Sequence, residues 1–182
     1  MDKTSHTLIR RSFLTEGLPE PLTPASSHLQ LFDNYIPNSR LRIRNIRVPE
    51  TKEWRHALQQ VYPVGDLLSV STIGLNDEEY AIFTRFEGRE IRKNRYFHEF
   101  DGREFTFDIF LGALWGVTMA KAEFRNREEA ENFDPPPFAV YEVTGNEFFL
   151  DSSLVEKRFE DVREEIGKIE RSMPVSPRSG QE

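Results

Sequence analysis

The chain has no cysteine among its 182 residues. Disulfides, thiolate-bound zinc and a thiol nucleophile are therefore all excluded. Long apolar runs are also missing. Stretches such as Phe110–Trp115 fall far short of the ~20 residues a membrane-spanning helix needs. The first residues carry no basic-apolar-small leader, which predicts a protein that stays in the cytoplasm and touches no membrane. Basic charge is in deficit: 24 Lys and Arg stand against 31 Asp and Glu, a formal net charge of −7. Nonspecific binding to nucleic acid or to an anionic surface is not expected of such a chain. What is abundant is phenylalanine, with 15 residues, enough to build a large core in a domain of this length.

Patterning divides the chain into a flexible N-terminus over 1–5, one folded domain over 6–171 and a disordered tail over 172–182. Within the domain, alternating or turn-bounded stretches predict strands at His6–Leu14, His28–Ile36, Arg40–Arg47, Trp54–Tyr62, Leu67–Leu75, Glu90–Glu99, Arg103–Phe110, Gly116–Phe124 and Phe138–Val143. Asn76 caps an expected helix whose first turn carries Asp77, Glu78 and Glu79, with Ile82, Phe83 and Phe86 as its apolar side. A short helix is expected at Arg127–Asn132. A longer one is expected over Ser152–Arg171, where Leu154, Phe159, Val162, Ile166 and Ile169 recur at helical spacing. Asp101-Gly102 is a hairpin turn. So many strands joined by short turns predict an α+β, mainly β chain, closed into an antiparallel barrel or stacked as a sandwich.

The strand faces are informative. Arg40, Arg42 and Arg44 share one face opposite Leu41 and Ile43. Lys93 and Arg95 share a face, as do Lys121 and Glu123; Glu104, Thr106 and Asp108 lie opposite Phe105, Phe107 and Ile109. Either each charged face meets solvent, as in a half-buried antiparallel sheet, or the charged faces line a polar barrel interior while helices cover the outside. Periodicity leaves both open. His6, His28, His56 and His98 have no ligand spacing, and Trp54 and Trp115 are expected to pack in the core.

The order of motifs resembles a known family. Ile91–Tyr96 (IRKNRY), Phe105–Gly112 (FTFDIFLG), Gly116–Phe124 (GVTMAKAEF) and Pro137–Gly145 (PFAVYEVTG) are similar, in sequence and order, to the C-terminal half of a CYTH domain of the triphosphate tunnel metalloenzyme superfamily. Arg42-Ile43-Arg44 resembles its R-x-R strand, and Arg11–Leu14 the end of its E-x-E-R-K-F-L opening. The resemblance spans about residues 6–154. It implies an eight-stranded antiparallel barrel enclosing a tunnel, with helices packed outside. It also implies basic residues that bind a triphosphate, and acids that hold Mg²⁺ or Mn²⁺. The reactions it implies are triphosphate hydrolysis or, in one branch, formation of cyclic AMP. Phosphoryl transfer of this kind is mostly positioning and charge neutralisation.

Departures from the pattern cluster among the acids. Leu8, Arg10 and Ser12 stand where E-x-E-x-K is expected. Leu67–Asn76 has no charged residue where another acid pair usually lies, and Gln59 or Gln60 replaces a lysine. Lys121 replaces the first acid of the A-E-x-E strand, and Leu111 replaces an acid before Gly112. The resemblance thus assigns phosphate binding to Arg42, Arg44, Lys93, Arg95, Arg10 and Lys121, leaving Asp108, Glu123 and Glu142 as the metal-ligand candidates. A hard divalent cation wants several oxygen ligands, so the expected function is binding of a triphosphate or other phosphorylated small molecule, with metal-dependent hydrolysis weak or lost. The alternatives are an active triphosphatase or nucleotidyl cyclase, and a non-catalytic scaffold. No catalytic residue is assigned, and neither the natural ligand nor the oligomeric state is legible.

Overall fold

The computed structural model describes residues 3–64 and 67–172. Among the described residues, nine strands and four α-helices follow one another. The first five strands are β1 (Lys3–Leu14), β2 (Leu29–Tyr35), β3 (Leu41–Arg47), β4 (Trp54–Val64) and β5 (Leu67–Leu75). After α1 (Asp77–Phe83) come β6 (Arg89–Phe100), β7 (Arg103–Phe110), β8 (Thr118–Phe124), α2 (Arg127–Glu131), β9 (Tyr141–Glu142), α3 (Asp151–Leu154) and α4 (Phe159–Ser172). The sheet runs β5-β4-β3-β2-β6-β7-β8-β1, with all pairings antiparallel, and β1 returns to β5. Closure depends on the length of β1. Its first half, Lys3–Leu8, pairs with β5, and its second half, Ile9–Leu14, pairs with β8. This is a closed eight-stranded barrel, with β9 added beside Phe13 and Leu14.

Several expectations change at the ends of elements. Lys3–Ser5, expected to be loose, are strand, because they complete the ladder to Ser71–Ile73; Met1 and Asp2 lie outside the described residues, as does the tail beyond Ser172. The strand expected over Phe138–Val143 shrinks to Tyr141–Glu142. The single C-terminal helix divides into α3 and α4 around Val155–Arg158. Asn76 does cap α1, in a full capping box with Glu79. Yet α1 buries no residue: of its expected apolar side, Ile82 and Phe86 are exposed and Phe83 is half-buried against Phe86. Trp115 is 68% exposed rather than core, and Trp54 lies half-exposed against Phe32.

Two hydrophobic clusters fix the barrel. Outside β6, β7, β8 and β1, Phe13, Tyr96, Phe105, Phe107, Ala120 and Ala122 are buried. Phe105, Phe107 and Ile109 face outward as expected, but neither α1 nor α4 covers them. The cover comes from Leu18, Leu22, Phe133 and Phe138, with Ala130 of α2. Leu18 and Leu22 flank Pro19 and Pro21, and Phe138 directly follows Pro135–Pro137. Phe138 meets Phe105 edge-on at a ring separation of 5.2 Å. The second cluster lies inside one end of the barrel, where Leu14, Ile91, Phe110 and Met119 meet Phe149, Leu154 and Val162. Here α3 and α4 close the barrel end. Gly116 lets α4 approach: φ is +101°, and a Cβ there would lie 2.9 Å from the Phe159 ring.

Candidate functional site

Alternation sends the charged faces inward. Strand pairing places Arg42 opposite Gln59, Arg44 opposite Asp33, Arg95 opposite Asp108, and Ser12 opposite Lys121, with each pair on one face of the sheet. The side chains meet in the middle of the barrel. Arg44 grips Asp33 with two hydrogen bonds of 2.6 Å. Arg42 donates to Gln59 Oε1 at 2.9 Å and to the Tyr35 hydroxyl at 2.7 Å, and lies 3.4 Å from Asp33. Asp108 accepts from Arg95 at 2.6 and 2.8 Å and from Lys121 at 3.1 Å, and lies 3.0 Å from the Lys93 ammonium. Asp151, at the start of α3, reaches in from the closed end. Its carboxylate lies 2.5 Å from Lys93, 3.1 Å from Lys121 and 3.7 Å from Arg42.

Five cations (Arg42, Arg44, Lys93, Arg95 and Lys121) thus surround three carboxylates (Asp33, Asp108 and Asp151), an interior excess of two positive charges. Burial favours neutral forms, yet it loses at all three acids. It would raise the Asp33 carboxyl, but Arg42 and Arg44 outweigh it and hold it far below the usual carboxylate range. Arg95, Lys93 and Lys121 do the same for Asp108, and Lys121 and Lys93 for Asp151. At Lys93 burial wins. Desolvation, helped by the nearby Lys121 and Arg95 charges, pushes its ammonium down to about 8 despite Asp108 and Asp151. Burial likewise raises the Tyr35 phenol well above its ordinary value.

Away from the closed end the barrel has a mouth. A cavity of about 310 Å³ is lined by Arg10, Arg103, Glu104, Thr106, Lys121 and Glu123. Arg10 and Glu123, direct cross-strand neighbours on its wall, form a 2.8 Å ion pair, with 27% and 56% of their side chains exposed. Lys121 lines this cavity and also joins the central cluster, so mouth and cluster are continuous.

The structure therefore brings together Arg42, Arg44, Lys93, Arg95, Lys121 and Asp108, and places Arg10 and Glu123 at the entrance. Glu142 departs from expectation. It pairs in register with the outward-facing Phe13, binds Arg11 and accepts from Thr144 at 2.7 Å. Arg11 in turn binds the carbonyls of Ala130 and Phe133. Glu142 thus ties the outer segments to β1 and stands outside the barrel. Asp33, Tyr35 and Asp151 were not foreseen. Asp33 carried a signal, because an acid in phase with Leu29, Leu31 and Tyr35 on one strand face must either be paired or break the pattern. Asp151, just before a helix, reads from sequence as a cap.

The donor set does not fit a divalent cation. Such an ion needs several carboxylate oxygens free to face it. Asp33 and Asp108 have their oxygens committed to Arg and Lys, Glu123 is held by Arg10, and Glu142 lies outside. Among the described residues no three His, Asp or Glu side chains gather as a ligand group. No helix among them is long and apolar enough to cross a membrane.

No family model matches the chain. An inorganic triphosphatase of Nitrosomonas europaea is 34% identical over 92 residues, covering 44% of this chain and 61% of that protein. The match thus spans about three-fifths of the relative's length. A crystal structure of an inorganic triphosphatase superposes with a TM-score of 0.56 at 22% identity, over 81% of this chain and 93% of that one. Another structure of that protein, described as hypothetical, gives 0.58 at 23%, over 83% and 99%. At these identities the structural likeness is one of fold.

Proposed function

We propose that this chain, whose fold is the CYTH or triphosphate tunnel fold, binds a triphosphate or a similarly phosphorylated small molecule in its barrel interior without needing a divalent metal. The observation that carries the reading is the central cluster: five buried or nearly buried cations on three strands, in excess over the acids among them. Arg presents a planar fork suited to phosphate oxygens and Lys a compact point charge, so together they serve a polyanion by charge-assisted hydrogen bonds. The relative named as an inorganic triphosphatase supports triphosphate as the first ligand to test.

Hydrolysis is proposed to be weak or lost, because the interior carboxylates neutralise cations instead of facing a metal. The test is a calorimetric titration with sodium triphosphate in EDTA, run beside phosphate release with Mg²⁺ or Mn²⁺. Binding in EDTA with negligible release is the expected result. Hydrolysis at ordinary enzyme rates with Mg²⁺ would overturn the metal-free reading and favour an active triphosphatase. No binding under either condition would leave the barrel as a scaffold.

A further inference from the structure

The central cluster is already filled by its own acids, and they differ in one respect. Asp33 belongs to β2 and Asp108 to β7, each held by ladders on both sides. Neither can leave without opening the barrel. Asp151 belongs to no strand. It stands at the first position of a four-residue helix, on a segment seated by side-chain packing of Phe149, Leu154 and Val162. Its carboxylate touches Lys93 and Lys121, the two lysines of the cluster, and approaches Arg42. Those are the positions and the chemistry that a phosphate group would need. Lys93 is fully buried, so an anion entering by the mouth meets it only by replacing an anion already there.

We infer that Asp151 is a specificity-determining residue: a tethered carboxylate that holds the Lys93–Lys121 subsite in the free protein and is displaced by a polyphosphate. The inference rests on the proposed triphosphate-binding reading. A single carboxylate makes few hydrogen bonds, but its tether gives it a high effective concentration. Orthophosphate competes poorly against such an occupant. A triphosphate reaches further cations, Arg95 and Arg42 among them, and can bear the cost of expelling it. Expulsion moves α3 relative to the barrel, because Asp151 is the first residue of α3.

The experiment compares the wild-type chain with Asp151→Asn, an isosteric change that keeps Asp108 beside both lysines. Both proteins are titrated with sodium triphosphate and with sodium phosphate in EDTA, and hydrogen exchange of residues 150–157 is followed in the wild type. The expected result is triphosphate binding about tenfold or more tighter in the variant, the factor set by removing a competing charged hydrogen bond. Orthophosphate binding should become measurable in the variant. Triphosphate should speed exchange across residues 150–157 in the wild type. That last readout does not require the variant to fold. Equal or weaker triphosphate binding by D151N, or unchanged or slower exchange in the wild type despite binding, overturns the inference and leaves the binding reading intact. If neither protein binds triphosphate, the binding reading fails and the inference falls with it.

Discussion

Replacing Asp108 by Asn tests whether the interior is an ion-paired network that wants an anion. Asp108 is fully buried and accepts from Arg95 through both oxygens, with Lys93 and Lys121 within 3.1 Å. Asparagine keeps the shape but removes the one charge that these three cations share at short range. Breaking a buried pair by removing one partner costs about 3–5 kcal/mol, because it leaves uncompensated charge in a place water does not reach. Asp151 still faces the two lysines, so the lower half of that range is expected. At roughly 2–4 °C per kcal/mol for a domain of this size, the melting temperature should fall by about 6–16 °C. The same variant should recover stability in sodium triphosphate, since ligand at a hundred times its Kd adds about 2.7 kcal/mol. The recovery should exceed the wild-type gain at the same concentration, because the variant's cluster is more positive. Urea unfolding in EDTA, with and without triphosphate, measures both quantities. A loss below about 1 kcal/mol, or a ligand gain no larger than that of the wild type, would refute the reasoning, for it would mean that the cations do not depend on Asp108.

Further outcomes follow from individual contacts. Arg42→Ala and Arg95→Ala should each weaken triphosphate binding by about 1.5–3 kcal/mol in calorimetry, the scale of a hydrogen bond to a charged group. Glu123→Gln should cost no more than about 1 kcal/mol in urea unfolding, because its pair with Arg10 is partly solvated. Lys93, pushed down to about 8, should make triphosphate affinity fall as pH rises through that value, since the bound anion needs the ammonium form. Its effect on stability has the opposite sign: between about 8 and 10.5 the unfolded chain holds the proton that folded Lys93 has released, so this group's contribution rises with pH. At the acid end, the depressed carboxyls of Asp33, Asp108 and Asp151 contribute stability above the ordinary value of 3.8. That contribution should drain away as pH falls below it and the folded-state carboxylates are protonated, which melting curves at successively lower pH would record.

The barrel was legible because its signals are local. Arg103–Phe110 alternates from Glu104 to Ile109 and follows the Asp101-Gly102 turn, and its limits read from sequence as they stand in the structure. Leu67–Leu75 is bounded by Gly65-Asp66 and by the helix cap Asn76 and reads equally well. What was illegible depends on contacts between distant segments. Lys3–Ser5 have no strand pattern of their own and are fixed only by the ladder to β5. The cover over Phe105 and Phe107 comes from residues about 85 positions upstream and 30 downstream, in segments whose prolines read as loop. The break between α3 and α4 leaves only a faint trace in the apolar spacing: the five-residue step from Leu154 to Phe159 turns about 140° on a helix, and Val162, Ile166 and Ile169 then resume regular spacing.

At the site, the basic residues and Asp108 were picked out from the sequence while Asp33 and Asp151 were not, and the asymmetry has a physical cause. A row of Arg or Lys on alternate positions of a strand can be read without knowing what lies across the barrel. A carboxylate that answers it can come from any element able to reach the interior. Asp33 answers from the neighbouring strand and Asp151 from beyond the last barrel strand. The cations alone suggest a repulsive, hydrated tunnel waiting for an anion. With their partners in place the interior is a nearly closed set of charge-assisted hydrogen bonds, in which the only formal excess is two positive charges. A polyanion entering this barrel therefore gains little from raw attraction at a distance, in a chain whose overall charge is −7. Its affinity must come from replacing bonds at short range. Affinity then depends less on how many cations line the barrel than on which carboxylate can give way, and only Asp151 is carried by an element outside the barrel wall.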